Sequence, residues 1–293
     1  MTTSGRNDYA AFRRALRRAA PQLTRSLPWI EHDNPWAVLV SEVMLQQTQS
    51  ARVIEPWTRF MERFPTPRSC ADASLAEVLT SWRGLGYHRR AKALHDTARM
   101  LRDEFDGVVP GSVAALRTLP GVGEYTANAV ASFAYGEPVA VLDTNVGRVL
   151  ARAIVNRRLR PTEARALAAD VLPRTNVASF NQSMIDLGAQ FCRSTPRCHQ
   201  CPLASHCAWR HGGGVDPAPL SAGVSRAQLR FEGSNRQLRG RVLNALRDGP
   251  HSRQQLSESF AGVEAGRRDE VLASLVRDGL VTRRARTFAL AGE

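Results

Sequence analysis

Lysine is almost absent from this chain. Lys92 is the single lysine among forty Lys and Arg residues, so a Schiff-base mechanism has one candidate side-chain amine. The sequence also lacks an apolar run long enough to cross a bilayer, which argues against a membrane anchor. The Arg-rich stretch from Phe12 to Arg18 has no apolar centre before a cleavage site, so it does not resemble a secretion signal. These absences predict a cytoplasmic protein.

Acidic residues are fewer than basic ones, and the resulting positive charge indicates the class of partner. The 293 residues carry a formal charge of +13 and the isoelectric point is about 10.9. Such a charge favours a polyanion, with DNA or RNA preferred over a membrane surface. The length suggests two domains with room for a small third, and it is ample for a sizeable core.

The spacing of apolar residues predicts an all-α fold for most of the chain. Between about residues 9 and 212, apolar side chains recur at helical spacing, as in Val38, Leu39 and Val43, and alternating strand patterns are scarce. Residues 213–233 contain Gly, Pro and Ser with little periodicity, which predicts a linker.

Residues 234–293 predict a separate C-terminal module. Three stretches have helical spacing, and a hairpin with an Arg-rich turn follows them, at about 238–246, 252–260, 271–276 and 280–290. Three helices and a hairpin resemble a winged-helix module. A DNA contact and a surface for packing or for a protein partner are equally good interpretations of this module.

The stretch from Leu119 to Asn145 is the most informative part of the sequence. It opens with Leu-Pro-Gly-Val-Gly and ends in Leu-Asp-Thr-Asn. Two closely spaced glycines, Gly121 and Gly123, allow a tight turn whose backbone amides can bind a phosphate at a helix N-terminus. The following helix, starting near residue 124, leads to a lone carboxylate, Asp143. The alternative is an ordinary turn and an aspartate that caps the next helix.

Four cysteines lie within sixteen residues, in the spacing Cys-x5-Cys-x2-Cys-x5-Cys. Four thiolates this close can surround one metal centre, and both zinc and a [4Fe-4S] cluster are chemically allowed. Disulfides do not suit a chain without a secretion signal. The single Cys-x2-Cys pair has one further cysteine on each side, and this spacing favours the iron–sulfur cluster over zinc. The candidate ligands are Cys192, Cys198, Cys201 and Cys207. Cys70 stands apart and is expected to be buried.

With the turn, Asp143 and the cysteines in this order, the chain resembles the endonuclease III superfamily of helix-hairpin-helix DNA glycosylases. Ser41–Gln49, Gly84–Tyr87 and Asp186–Ala189 are similar to its adenine DNA glycosylase (MutY-type) branch. The resemblance covers about residues 25–210. It implies an N-terminal helix (1–31) that packs with the cluster domain, a six-helix barrel domain with the helix-hairpin-helix (32–145) and an iron–sulfur domain (146–212).

The resemblance also implies the chemistry of base excision repair. Breaking the N-glycosidic bond of adenine needs a proton donor for the base and a carboxylate facing the positive charge that develops on the sugar. Glu42 would protonate N7, because an apolar helix favours its protonated form. Asp143 would stay ionised and stabilise C1′ or bond to it transiently, and Tyr125 and Asn145 would orient it. Taken alone, Glu42 would be an ordinary acid near a helix N-terminus.

Bifunctional relatives carry a lysine two residues after the second hairpin glycine. Tyr125 occupies that position here. Without the amine no imine can form, so we expect a monofunctional hydrolase without β-lyase activity.

The implied partner is double-stranded DNA with a mispaired adenine, bound by a monomer associated with the nucleoid. The target base must leave the helix stack. Taken singly, the aromatic and leucine candidates are more typical of a core. By this resemblance, Gln47 is a wedge that fills the space left by the extruded base, and the ring of Tyr87 stacks beside the opposite base. Trp29 and Leu45 would line the adenine pocket. The backbone amides of Gly121, Val122 and Gly123 would bind a phosphate.

The sequence departs from the family pattern in three places. Five residues separate the first two clustered cysteines, where six are usual in the family. In addition, Ile30 stands where many relatives have Arg or Gln, so a polar contact to adenine would have to come from Glu31 or His32. The C-terminal module is too short and too helical for a Nudix-like domain that helps recognise 8-oxoguanine. Selectivity for the opposite base is therefore open. The alternatives are a glycosylase for thymine or uracil opposite guanine, and a non-catalytic iron–sulfur DNA-binding protein.

Overall fold

The computed structural model describes residues 8–30, 34–224 and 230–292. These residues are mainly helical, as the spacing of apolar residues predicts, and none of their helices is both long and apolar enough to cross a membrane. The helices are α1 (Asp8–Leu23), α2 (Pro35–Leu45), α3 (Ile54–Arg63), α4 (Pro67–Asp72), α5 (Leu75–Ser81), α6 (Arg89–Glu104), α7 (Val113–Leu116), α8 (Glu124–Tyr135), α9 (Thr144–Val149), α10 (Pro161–Val171), α11 (Val177–Gln190), α12 (Ala208–Gly212), α13 (Asn235–Ala245) and α14 (Ala265–Arg277).

Contacts between residues divide the chain into two units. The first unit comprises Met1–Ser26, Gly111–Leu116 and Gly123–Ala227, and the second comprises Leu27–Pro110, Arg117–Val122 and Gln228–Glu293. This division places α8 with the cysteines, whereas the sequence groups it with the barrel helices. The predicted domain boundaries stay a prediction.

The first unit is built around one apolar core. Its members come mainly from α1, α9, α10 and α11, and they include Leu16, Leu23, Val149, Leu150 and Met184. Helix α9 continues directly into a π-helical turn, Leu150–Ile154. Helix α1 is tied to α10 because the guanidinium of Arg13 donates to the carbonyl of Val171 over 2.8 Å.

Part of the predicted linker packs on the first unit. The backbone amide of Leu159 donates to the hydroxyl of Ser221 over 3.1 Å. A Cβ on Gly223 would lie 3.4 Å from the side chain of Leu142. Residues 213–224 are therefore anchored beside α9 rather than spanning open space.

The second unit contains helices α2–α6. Helix α2 begins where Asn34 accepts a hydrogen bond from the amide of Trp36 over 3.0 Å and Pro35 fills the first helical position. Large aromatic side chains fill the core, and Phe60 meets Trp82 edge to face with ring centroids 6.2 Å apart. Helix α5 starts with a capping box formed by Ser74 and Glu77.

The C-terminal module belongs to this second unit. Its strands are β1 (His251–Ser252), β2 (Val281–Arg284) and β3 (Thr287–Leu290), and they form an antiparallel sheet in the order β1-β3-β2. In the predicted hairpin Val281 pairs with Leu290. The short strand β1 is not evident from the sequence, and the helix predicted to end near Phe260 is a 3-10 helix, Gln255–Phe260.

The module is packed against helices α5 and α6. Arg247 donates to the carbonyl of Leu79 over 3.2 Å. Arg89 in α6 pairs with Asp278, at 2.5 Å between Nη2 and Oδ1. A Cβ on Gly292 would lie 3.0 Å from the backbone nitrogen of Leu75. The module is thus an integral part of the second unit.

Candidate active site

Glu42 lies on a helix that is buried almost throughout. Helix α2 contributes a continuous run of buried residues from Trp36 to Met44, and Glu42 itself is only 5% exposed. The neighbouring Ser41 donates its hydroxyl to the carbonyl of Val38 over 2.8 Å. Removal of a carboxyl group from water disfavours its charged form. Glu42 is therefore a carboxyl group that is shielded from water.

Asp143 is the N-cap residue of α9, as the simpler interpretation of the sequence predicts. Its Oδ1 accepts the backbone amide of Val146 over 2.7 Å, and its Oδ2 accepts the side-chain amide of Asn145 over 2.6 Å. Burial raises the pKa of Asp143, while these two hydrogen bonds and the charge of Arg148 act to lower it. Both carboxylate oxygens are thus held in fixed directions.

The Asp143 site is connected to the cysteine loop through Arg148. The guanidinium of Arg148 donates from Nη2 to Oδ1 of Asn145 over 2.6 Å and from Nε to the carbonyl of Cys192 over 2.7 Å. The same Nη2 contacts the carbonyl of Gly188 at 3.0 Å. The sequence gives no sign of this role, because Arg148 looks like an ordinary basic residue near a helix end.

Gly188 explains how closely α11 approaches the Asp143 site. A Cβ at this position would lie 2.6 Å from both the Cβ and the carbonyl oxygen of Asn145. A residue with a side chain would therefore push the Asp143–Asn145 segment away from α11. Tyr125, in the first turn of α8, is half-buried and packs against the apolar core of the same unit.

The four clustered cysteines line a single cavity. This cavity also contains the side chains of Phe191, Leu203 and Trp209. Burial raises the pKa of Cys201 to about 11, and it also raises those of Cys192 and Cys207. Among the residues that the structure describes, no group of three His, Cys, Asp or Glu side chains is already placed to hold a metal ion.

Arg152 is the buried cation beside these cysteines. It is 1% exposed, and its Nη1 lies 3.5 Å from Sγ of Cys192 and 2.6 Å from the carbonyl of Arg193. Its other edge pairs with Asp216, at 2.6 Å between Nη2 and Oδ2. A thiol set with a buried guanidinium next to it fits a metal centre whose sulfur ligands carry negative charge.

The predicted phosphate-binding turn has the expected conformation. Gly121 has φ of 74°, and a Cβ there would lie 2.7 Å from the Cβ of Ala93. The amide of Val122 donates to the carbonyl of Leu119 over 3.1 Å inside the turn. Gly123 is exposed and caps α8. Glycine is therefore required at 121 by both the backbone angle and the close approach of α6.

Gln47 and Tyr87 share an unusual backbone geometry. Their φ angles are 57° and 48°, in the left-handed region that disfavours residues with side chains. Gln47 is exposed and Tyr87 is half-buried. Strained backbone of this kind occurs often at functional sites, where the surrounding structure maintains it.

Arg90 holds the two loops that carry Gln47 and Tyr87. Its Nη1 donates to the carbonyls of Met44 at 2.8 Å and of Gln46, and its Nη2 donates to the hydroxyl of Thr48 at 3.1 Å. The other loop is bound through the carbonyl of Gly86 at 3.3 Å. Burial lowers the pKa of Arg90 to about 10, so it remains a cation at neutral pH. The sequence does not reveal this role, since no local motif marks Arg90.

A basic cleft of about 390 Å³ opens beside these loops. We use the term basic cleft for this cavity, which is lined by Gln46, Gln47 and Tyr87 and by four arginines, Arg89, Arg90, Arg236 and Arg239. The buried ring of His88 also lines it, and burial together with the nearby arginines lowers its pKa to about 4. Gln47 and Tyr87 therefore line the same cavity.

The remaining predicted residues lie in the second unit. Trp29 is buried and meets Trp57 edge to face with ring centroids 5.9 Å apart, and Leu45 is half-buried. Glu31 and His32, the candidates for a polar contact after Ile30, lie outside the described residues. The roles of Trp29 and Leu45 at an adenine pocket stay predictions.

Comparison with known proteins identifies the family. Residues 40–174 match the model of the HhH-GPD superfamily base excision DNA repair proteins. Adenine DNA glycosylase of Mycobacterium tuberculosis is 46% identical over 280 residues, which cover 92% of this chain and 90% of that protein. The chain belongs to the adenine DNA glycosylase family. Because the match covers 92% of the chain, this family relationship extends into the C-terminal module.

Solved structures of other DNA glycosylases share the fold of this chain. A trapped endonuclease III–DNA covalent intermediate superposes with a TM-score of 0.60 at 28% identity, covering 72% of this chain and 99% of that chain. A thermostable thymine-DNA glycosylase gives a TM-score of 0.64 at 24% identity over 70% of this chain and 97% of its own, which establishes the shared fold. The fold is thus the helix-hairpin-helix DNA glycosylase fold, with a winged-helix-like module at its C-terminus.

Proposed function

We propose that this protein is a monofunctional DNA glycosylase of base excision repair that hydrolyses the N-glycosidic bond of adenine mispaired with 8-oxoguanine or guanine. The observation that carries the proposal is the 46% identity to an adenine DNA glycosylase over 92% of the chain. The chemistry of the side chains supports it, because the chain offers a buried carboxyl group at Glu42 and a firmly oriented one at Asp143. Double-stranded DNA is the substrate, in keeping with the charge of +13.

Glu42 acts as the proton donor in this proposal. Adenine is a poor leaving group until a ring nitrogen accepts a proton, and a carboxyl group shielded from water can supply that proton at neutral pH. Transfer of the proton from Glu42 to N7 lets the electrons of the glycosidic bond leave with the base. Glu42 is then an anion that a later proton from water restores.

Asp143 stabilises the sugar as that bond breaks. The leaving base takes both electrons, so positive charge develops at C1′ and the ring oxygen. A carboxylate in a fixed position offsets this charge without having to reorganise. Asn145 and the amide of Val146 hold Asp143 in that orientation. Water then adds at C1′ and loses a proton, which leaves an abasic sugar and free adenine.

Tyr125 makes the reaction end at base removal. An imine requires an amine at this position, and the phenol of Tyr125 cannot provide one. The DNA strand should therefore stay intact until it is treated with alkali, and borohydride should trap no covalent complex. Strand cleavage by the protein alone would contradict the monofunctional assignment.

Cys192, Cys198, Cys201 and Cys207 would hold a [4Fe-4S] cluster. Bound there, the cluster supplies a rigid cross-link for the loop that contains Arg193 and Arg197, both of which are exposed. All four cysteines line one cavity, which supports this assignment. The purified protein should then be yellow-brown and contain about four iron atoms for each chain, in line with the cluster type. Colourless protein with stoichiometric zinc would contradict it.

DNA contacts complete the proposal. Gln47 fills the space left by the extruded adenine, Tyr87 stacks beside the opposite base, and Trp29 and Leu45 line the adenine pocket. The amides of Gly121 and Gly123 bind a phosphate, while the amide of Val122 keeps its hydrogen bond to the carbonyl of Leu119. The protein works as a monomer in the cytoplasm, associated with the nucleoid.

The decisive experiment measures release of adenine by the full-length protein from a panel of duplexes. The panel pairs adenine with 8-oxoguanine, guanine, cytosine and thymine, and it includes thymine and uracil opposite guanine. We expect adenine release from the first two duplexes alone. Preferred release of thymine or uracil would identify a different glycosylase, and tight binding without any base release would identify a non-catalytic protein.

A further inference from the structure

The C-terminal module places an arginine directly on a residue assigned to DNA contact. Arg236, in the first turn of α13, donates to the phenol oxygen of Tyr87. Its guanidinium carbon lies 5.0 Å from the centroid of the Tyr87 ring, where an attractive cation–π contact is expected. The two residues are 149 positions apart in the sequence. Any base that approaches Tyr87 in this cleft therefore also approaches the C-terminal module.

Attachment of the module does not depend on Arg236. Asp278 of the module pairs with Arg89 of α6 at 2.5 Å, and Arg247 of the module donates to the carbonyl of Leu79 in α5. These contacts fix the module on helices α5 and α6. A role limited to holding the module would thus make Arg236 redundant, whereas its position on the wall of the basic cleft gives it access to a ligand.

The chemistry around Arg236 suits a nucleotide. Phe231 is 51% exposed, and its ring centroid lies 5.2 Å from the Arg236 guanidinium. An exposed aromatic ring beside a guanidinium offers a stacking face together with donors for acceptor oxygens, the combination found in nucleic-acid sites. Arg89 and Arg239 share Asp278, and Arg90 donates to backbone carbonyls. Arg236 differs from all three, because it donates to a phenol that is itself a proposed DNA contact.

We propose that the C-terminal module forms part of the DNA-binding site, and that Arg236 donates to acceptor oxygens of the nucleotide opposite the target adenine. These oxygens belong either to the base edge or to the adjoining phosphate, and both accept hydrogen bonds from a guanidinium. The inference rests on the proposed function, because it takes Tyr87 and Gln47 as neighbours of that nucleotide. It assigns to the sixty-residue module a task in recognition of the opposite strand.

Equilibrium binding by the full-length protein tests this proposal. The probes are duplexes with a tetrahydrofuran abasic analogue opposite 8-oxoguanine or guanine, and a fully paired duplex of the same sequence. We expect Arg236→Ala to weaken binding to the two analogue duplexes about tenfold or more, which is typical of a lost charge-assisted contact. Binding to the paired duplex should change about twofold or less. Arg241→Ala is the matched control, since Arg241 is an exposed arginine on the same helix.

Arg236→Lys separates the two sources of acceptor oxygens. Lysine keeps the charge but loses the planar pair of donors. If the base edge is the ligand, the selectivity for 8-oxoguanine over guanine should fall in this variant, while the salt dependence of binding stays as in the unaltered protein. If the phosphate is the ligand, Arg236→Lys should retain most of the affinity for both analogue duplexes. Both outcomes support the proposal, and equal losses on all duplexes for Arg236→Ala and Arg241→Ala would overturn it.

A cross-linking experiment on the unaltered protein covers the case in which a variant does not fold. A photoreactive 5-iodouracil beside the base opposite the abasic analogue should cross-link to residues 230–245. Cross-links confined to residues 34–110 would overturn the proposal. The outcomes are separable from those of the proposed function, because binding to an unreactive analogue does not depend on adenine release. Selective loss with Arg236→Ala in a protein that releases no adenine would contradict only the enzymatic assignment.

Discussion

Glu42 and Asp143 are carboxyl groups in different positions, one within a buried helix and the other at a helix N-terminus with hydrogen-bond donors on both oxygens. Glu42 lies in the second unit on a helix whose side chains are buried from Trp36 to Met44. Asp143 lies in the first unit, half-buried, with hydrogen-bond donors on both oxygens. Burial raises the pKa of Asp143, and the donors from Val146 and Asn145 and the charge of Arg148 act against that increase. These hydrogen bonds therefore favour the charged form that the proposed role of Asp143 needs.

Glu42→Gln should have the largest effect on this pair of carboxyl groups. Glutamine keeps the size of the side chain but cannot donate the proton, so adenine release should fall by roughly 10²- to 10⁴-fold. Single-turnover release from the duplex with adenine opposite 8-oxoguanine is the measurement. Glu62→Gln, at an exposed position, is the control and should be fully active. Full activity of Glu42→Gln would remove the acid assignment.

Asp143→Asn should have the next largest effect. Asparagine keeps the acceptor for the amide of Val146 but loses the charge that faces the developing cation, so release should fall by about 10²- to 10³-fold. The affinity for an abasic-analogue duplex should change much less, since the proposed role concerns the bond-breaking step. Asp170→Asn, at an exposed site in the same unit, is the control. A loss of binding equal to the loss of rate would contradict this role.

Asn145→Ala should shift the pH dependence of the reaction. The pKa of Asp143 is already raised by burial, and the hydrogen bond from Asn145 acts against that increase. Because its removal destabilises the carboxylate, the pKa of Asp143 should rise further. Activity that needs ionised Asp143 should then be lost at a higher pH as the solution is acidified. A single-turnover pH profile with an unchanged acid limb would contradict the assignment.

Gly188→Ala should act mainly on stability, and it should slow adenine release only through the shift of the Asp143–Asn145 segment. The added methyl group would meet Asn145 at 2.6 Å, and overpacking of this kind typically costs about 1–3 kcal/mol in the free energy of unfolding. Denaturant titration provides the measurement. Gly240→Ala is the matched control, because a Cβ at Gly240 would have no neighbour within 4 Å and its helix should gain slightly from alanine.

The sequence predicts the local parts of this architecture well. The cap at Asp143, the turn at Gly121 and the helix from Glu124 involve residues close together in the chain, so spacing and residue type suffice to indicate them. The helical class follows from the period of apolar residues, and the family model and solved structures confirm the fold.

The parts that the sequence does not reveal depend on contacts between distant residues. Arg90 reaches the carbonyl of Val43 across 47 positions, and Arg148 reaches Cys192 across 44. Neither arginine differs from its many neighbours in composition or periodicity. In a chain with forty Lys and Arg residues, the arginines that organise a site can be recognised only once the fold has brought their acceptors together.

The left-handed backbone at Gln47 and Tyr87 has a consequence for how this protein can change. Glycine at either position would relieve backbone strain on the order of 1–3 kcal/mol, although at Tyr87 it would also remove the contacts of the ring with Arg90 and Arg236. A glycine variant would lack the amide or the ring for which we propose a DNA contact. Under that proposal, selection for stability and selection for DNA repair oppose each other most directly at Gln47.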